Sequence, residues 1–361
     1  MTEDPKTVNF AVVYTDPPSL RTEVVERPVP EPGPGEVLVR LSYSGVCHSD
    51  LGFCTNSYVH VPPTPAGQVG GHEGLGEVIA HGPSVTYPSV GTKVGIKYTA
   101  RACLSCANCL QGGESTCESK TEYKISGFLH PGTFQQYVVS PANYATPIPD
   151  SITDLAAAAP LMCGGVTVYT ALKRVGVKQG DWVVISGAGG GLGHLAVQYA
   201  KVMGGRVLGI DDSTKEKTVK ELGAEVFLDF TAFENDEDLA ARVNDVTGGG
   251  AQIVMVCTSS PRSYASGMMW LGFRGKLCCL GIPEKEIQPA LGVSILLMVA
   301  KELTIMSNKS GNRLEALETV EIAARHGIKT QYQLRNMDEL TTIFEEMQAG
   351  KITGRTVLDL R

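Results

Sequence analysis

The chain has 361 residues, 43% of them hydrophobic and 19% charged, with 38 acidic against 31 basic side chains for a net charge of −7. That length predicts two domains with a core each, and the acidic balance argues against nucleic acid or an anionic membrane as a partner, since both reward a basic face. No apolar run reaches the ~18 residues of a membrane span. The opening MTEDPKTVNF has neither the basic nor the apolar part of a secretory leader, so a reducing, cytoplasmic setting is expected for the ten cysteines.

In chain order, residues 1–158 carry short β-rich runs broken by Gly and Pro, such as EVLVRL from Glu36 and GEVIA from Gly76. They predict an irregular, mostly antiparallel β domain. Beyond them strands alternate with helical segments, the pattern of βαβ units in a parallel sheet. Trp182 to Ser186 is a strand, Gly193 to Met203 a helix, Arg206 to Asp211 a strand and Lys215 to Leu222 a helix. Gln252 to Val256, Lys276 to Gly281 and Leu303 to Met306 are further strands, and Glu315 to His326 and Met337 to Ala349 are C-terminal helices.

Cys103, Cys106, Cys109 and Cys117 form a C-x2-C-x2-C-x7-C run. Two-residue gaps let a short loop fold back so that four thiolates converge on one Zn²⁺ at ~2.3 Å. The rival reading, a disulfide cluster, needs an oxidising compartment that nothing in the sequence suggests. Cys54, Cys257, Cys278 and Cys279 read as small apolar residues, the last two within the strand KLCCLGI.

The turn after Trp182 to Ser186 is Gly187-Ala188-Gly189-Gly190-Gly191-Leu192-Gly193. It lacks a literal G-x-G-x-x-G and fits best as Ala188-x-Gly190-x-x-Gly193. Following a strand and opening a helix, it has the context of a pyrophosphate-binding turn. Asp211 ends the next strand where a ribose carboxylate is expected, and with Asp212 it would repel a 2′-phosphate, so NAD is favoured over NADP. Cys47, His72 and Cys163 make a second constellation. Two thiolates and one imidazole leave a fourth position open on Zn²⁺ and keep its Lewis acidity. Each alone is more simply a packed Cys or a structural His; their joint order makes the case.

CHSDL at Cys47, GGHEGLGEV ending at Val78, the four-cysteine loop, GTFQQYV at Gly132, PLMCGGVTVYTALK at Pro160, ISGAGGGLGHLAVQYAK at Ile185, GNR at Gly311 and GR-x-V at Gly354 together resemble the zinc-dependent medium-chain alcohol dehydrogenases, nearest their yeast-type tetrameric branch. The resemblance spans nearly the whole chain. It implies an α/β fold: a Rossmann-type doubly wound parallel sheet over 159–297, and a GroES-like irregular β catalytic domain over 1–158 and 298–361. It implies two zinc ions, one catalytic on Cys47, His72 and Cys163 and one structural on the four-cysteine loop, with NAD(H) as cofactor. Glu73 would be a carboxylate near the metal, Asp50 the partner that orients His72, and Ser49 the hydroxyl that takes the alcohol proton. His48 and Arg355 would contact the pyrophosphate, Gly187, Ala188, Gly190, Gly191, Leu192 and Gly193 would form its cradle, and Asp211 would hold the ribose. The substrate would be a small alcohol or carbonyl compound and the assembly a homo-oligomer, tetramer or dimer.

Two departures stand out. Many relatives carry a histidine three residues after the relay hydroxyl, and here that residue is Gly52; a ribose hydroxyl with water, or His60, is an alternative route for the proton. The segment from Phe53 to Gln68 is about two residues longer than in the yeast-type enzymes and runs where the family walls its substrate pocket, so Phe53 or Tyr58 either shapes that pocket or packs the loop. The missing histidine leaves room for an NAD(P)H-dependent carbonyl or imine reductase of specialised metabolism. A non-catalytic dinucleotide sensor is the reading from another class, and the open metal set argues against it.

Overall fold

The computed structural model describes residues 8–58, 61–283 and 294–361; His60 lies outside them. The chain divides into two compact units, residues 1–166 with 310–361, and residues 167–309. Both boundaries fall later in the chain than the sequence reading places them. The helix Gly164–Val175 runs through the first crossing, and the strand Thr304–Ser307 pairs in parallel with Leu271–Cys279 and so belongs to the second unit's sheet.

In the first unit a mostly antiparallel seven-stranded sheet is centred on the long strand Glu36–Val46, flanked by Gly74–His81 and Arg355–Asp359. Val37, Val39 and Leu41 lie on one face of this strand and join a core with Val12, Val78, Val94 and Phe134, while on the other face Leu38 is buried and Arg40 exposed. A three-stranded sheet of Thr22–Pro28, Val8–Tyr14 and Gln68–Val69 packs with it, and the hairpin Thr99–Arg101 with Lys124–Ile125 brackets the four-cysteine loop.

The second unit is a six-stranded parallel sheet in the order Val226–Asp229, Arg206–Asp211, Trp182–Ser186, Ala251–Val256, Leu271–Cys279, Thr304–Ser307. In chain order that is 3-2-1-4-5-6, the doubly wound arrangement whose reversal beside the first strand makes a dinucleotide crevice. Trp182–Ser186 is buried throughout, as a central strand covered on both faces must be. The strand Val226–Asp229 and the helices Gly164–Val175, Asp236–Thr247 and Pro261–Met269 are additions to the sequence reading. Among the described residues no single helix is long and apolar enough to cross a membrane.

Candidate metal and dinucleotide sites

Cys47 ends the central strand's run and caps the helix His48–Cys54. Asp50, three residues on and fully buried, ties the site together. One carboxylate oxygen accepts from the Cys47 backbone N–H at 2.8 Å, and the other accepts from Gly71 N–H at 3.2 Å and pairs with His72 Nδ1 at 2.9 Å. A carboxylate on Nδ1 fixes the tautomer that leaves Nε2 free as a ligand. Nε2 of His72 is indeed buried without a hydrogen-bond partner, and so is Oε2 of Glu73. The ligand atoms of Cys47, His72, Glu73 and Cys163 lie within 4.8 Å of one another. Cys163 follows a short turn of 3-10 helix, Ala159–Met162, that precedes the helix Gly164–Val175.

The electrostatics suit a cation. A hydrogen bond with Cys163 holds the Cys47 thiol well below its ordinary range against burial, with Arg355 and His72 assisting, while Cys163 is correspondingly pushed up. Burial pushes Glu73 up to about 7 despite the opposing guanidinium of Arg355. Arg355 is itself buried and ion-paired with Glu73, so in this structure its charge faces that carboxylate, a pairing not foreseen in the pyrophosphate contact that the resemblance implies. Gly45 makes room for this arrangement: a Cβ there would lie 2.0 Å from Glu73 Oε2. Buried thiols, an orphaned imidazole nitrogen and an orphaned carboxylate oxygen fit a four-coordinate zinc with one exchangeable position.

Ser49 is half-buried and His48 exposed, both in the first turn of His48–Cys54. Gly52, one turn beyond Ser49, is covered by Tyr58. A Cβ at Gly52 would lie 2.5 Å from two ring carbons of Tyr58, so that ring fills the space a side chain at 52 would need. Tyr58 stands edge-on to Phe53, which stacks on Phe128 at 4.5 Å.

The second cluster gathers the four sulfurs of Cys103, Cys106, Cys109 and Cys117 within 4.8 Å, and all ten cysteines of the chain are free thiols. Sulfurs of Cys103 and Cys117 are 3.5 Å apart, far beyond a disulfide bond. Backbone N–H groups of Cys106 and Cys103 point at sulfurs of Cys103 and Cys117, at 3.3 and 3.4 Å. A buried network that sequence reasoning missed fastens this loop to the rest of its unit. Glu114 accepts from Arg313 Nε at 2.9 Å and from the Tyr144 hydroxyl at 3.1 Å, while Lys97 donates to the Tyr144 carbonyl at 2.7 Å. A lysine in the apolar run GIKY was the available signal.

In the second unit the glycine-rich turn closes tightly between the strand Trp182–Ser186 and the helix Gly193–Val202. Gly187 has φ +74°, and a Cβ on Gly193 would come within 1.9 Å of the Gly187 carbonyl oxygen. The tight turn falls on Gly187, while Ala188 is fully buried against Gly209. Gly190 N–H donates to Gly187 carbonyl at 3.1 Å, Gly191 follows it, and Leu192 caps the helix Gly193–Val202. Asp211 accepts from Gly189 N–H at 2.8 Å and lines a crevice of about 300 Å³ with Ser186, Gly187 and Thr258.

The comparisons match this geometry. A model described as the alcohol dehydrogenase GroES-like domain covers residues 33–150, and one described as zinc-binding dehydrogenase covers 191–325. The chain is 48% identical over 359 residues to alcohol dehydrogenase 2 of Emericella nidulans, across 97% of each chain. The chain belongs to the zinc-binding alcohol dehydrogenases. An alcohol dehydrogenase of Schizosaccharomyces pombe is 39% identical over 353 residues, 97% of each. Among solved structures of the same fold, acetophenone reductase from Geotrichum candidum in complex with NAD superposes with a TM-score of 0.84 at 26% identity, covering 99% of this chain and 98% of that one.

Proposed function

We propose that this chain is a zinc-dependent, NAD(H)-linked oxidoreductase that interconverts an alcohol with an aldehyde or ketone. Cys47, His72 and Cys163 hold the catalytic zinc; Cys103, Cys106, Cys109 and Cys117 hold a structural one. The observation that carries the reading is the His72 ring, fixed by Asp50 through Nδ1 and left with a buried, unpartnered Nε2 between two thiols. When bound, the zinc supplies Lewis acidity towards an alcohol or carbonyl oxygen, and the nicotinamide supplies the hydride acceptor or donor.

The protein's residues do the rest. Asp50 orients the imidazole, and Arg355 balances the buried Glu73 carboxylate. Ser49 accepts the proton given up by the alcohol, with His48 beside it at the pyrophosphate and Asp211 at the adenosine ribose, where a second acid at Asp212 disfavours a 2′-phosphate. A small-molecule substrate follows from the family. Residence in a reducing cytoplasm is supported by ten free thiols, six of them in the two metal sets. A homo-oligomer is supported by the exposed apolar side chains of Phe273, Ile282, Ile295, Leu296 and Val299 in one unit.

The test is an NAD⁺-linked screen of primary and secondary alcohols with metal-replete protein, alongside His72→Ala. Turnover with the wild type and none with the variant is expected; equal turnover of both would remove the metal site from the chemistry.

A further inference from the structure

A cleft of about 390 Å³ opens in the first unit, and none of its lining residues belongs to either metal cluster. Its walls come from the end of the strand Thr22–Pro28, from the bracket Thr99–Arg101 with Lys124–Ile125, and from the strand Tyr137–Pro141. Its apolar side is built by Val138, Pro28, Pro131 and Pro141. Proline rings bring no backbone N–H that would need a partner, so this wall is apolar without cost. The size and the mixture of an apolar wall with a few polar groups are those of small-molecule sites.

The charges around it do not cancel. Arg101 and Glu122 pair at 2.8 Å and neutralise each other. The Glu36 carboxylate is engaged by the Gly33 N–H at 2.9 Å. Arg27 donates to the Gly67 carbonyl at 2.8 Å and meets no carboxylate, and the Lys124 ammonium has no hydrogen bond or ion pair among the described residues. With Arg27 and Lys124 set against Glu36, one positive charge is left over. His130, on the same cleft, senses that field: burial and then Lys124 hold its pKa below the ordinary imidazole value, with Arg101 adding and Glu36 opposing.

We propose that this cleft binds a small organic monoanion, its apolar body against Val138 and the proline rings and its carboxylate against Lys124 and Arg27. Neither cation has a protein carboxylate to displace, and a single negative charge matches the single excess positive one. The site would make the dehydrogenase responsive to an aromatic or short aliphatic acid, the chemical class that further oxidation of an alcohol-derived aldehyde yields.

The experiment uses zinc-loaded protein saturated with NADH, titrated with sodium benzoate at constant ionic strength, and follows the ring resonance of His130, assigned with His130→Gln. Benzoate should shift that resonance saturably at one equivalent and move its titration midpoint upward, because a neighbouring anion favours imidazolium. Lys124→Gln and Arg27→Gln should each weaken binding about tenfold, the loss of one charge-assisted hydrogen bond. Benzyl alcohol, with the same ring and no charge, should leave the resonance in place. An unmoved resonance, equal affinity in both variants, or equal binding of benzyl alcohol overturns the proposal. Inorganic phosphate binding as tightly as benzoate would also overturn it, since the apolar wall would then contribute nothing.

Discussion

Gly52 and Tyr58 interlock, and the strength of that interlock can be worked from the structure. Gly52 is buried in the helix His48–Cys54, and its missing Cβ would sit 2.5 Å from two Tyr58 ring carbons and 2.8 Å from the hydroxyl. Real Cβ atoms do not approach so closely, so Gly52→Ala must push the ring aside. Tyr58 is not a loose tip that can yield freely, since it leans edge-on against Phe53 with ring centroids 5.6 Å apart. Overpacking of this kind costs about 1–3 kcal/mol, while alanine in a helix gains about 0.5–1 kcal/mol over glycine. The expected net loss is therefore about 1–2 kcal/mol. In a Tyr58→Ala background the clash is gone, and the same substitution should be neutral or slightly stabilising, a coupling of about 2 kcal/mol in a double-mutant cycle. Denaturant midpoints of the zinc-loaded protein measure it. Gly52→Ala having the same effect with and without Tyr58 would refute the reasoning. The cycle also bears on the proton path. Gly52→His alone should not speed alcohol oxidation, because the imidazole has no room beside Ser49; any gain should appear only when Tyr58 is truncated as well.

Other perturbations follow from the same geometry. Asp211→Ser should shift preference from NADH towards NADPH, read as the ratio of kcat/KM values, whereas Asp212 is better left alone because it accepts the Thr214 N–H at 3.0 Å and caps the turn Ser213–Lys215. Glu73→Gln should cost about 3 kcal/mol by leaving Arg355 buried without its counter-charge, and Arg355→Met in addition should recover most of the loss in a denaturation series. Burial lowers Lys97 from 10.5 to about 7, so between those values the unfolded chain binds a proton that the folded one does not, and stability should rise with pH. Lys97→Met should flatten that slope; an unchanged slope would mean the lysine stays charged in its site.

Legibility differed by level. The four-cysteine loop and the strand–turn–helix at Gly187 were readable because ligand spacing and turn glycines are local properties of the chain. Asp50 was readable as a partner of His72 only through the family resemblance, since twenty-one residues separate it from Gly71 and only the fold joins them. The Arg355–Glu73 pair was hidden for the same reason: its residues are 282 positions apart. The burial of Glu114 against Tyr144 and Arg313 depends on packing that no periodicity encodes. The positive φ of Gly187 was hidden because the sequence shows which residues lack a side chain but not which φ is positive. The helix Asp236–Thr247 carries local signals of its own, since Asn235 caps it and Gly248 ends it.

The central claim is that two separate sets of side chains each hold a zinc ion, and elemental analysis of metal-replete protein tests it most directly. The account predicts two zinc ions per wild-type chain and one in Cys163→Ser, whose fold should stay intact because the structural set is untouched. Cys103→Ser should lose the other ion and with it much of the protein's stability, since metal binding there is folding free energy. One zinc or none in the wild type, or two remaining in Cys163→Ser, would contradict it.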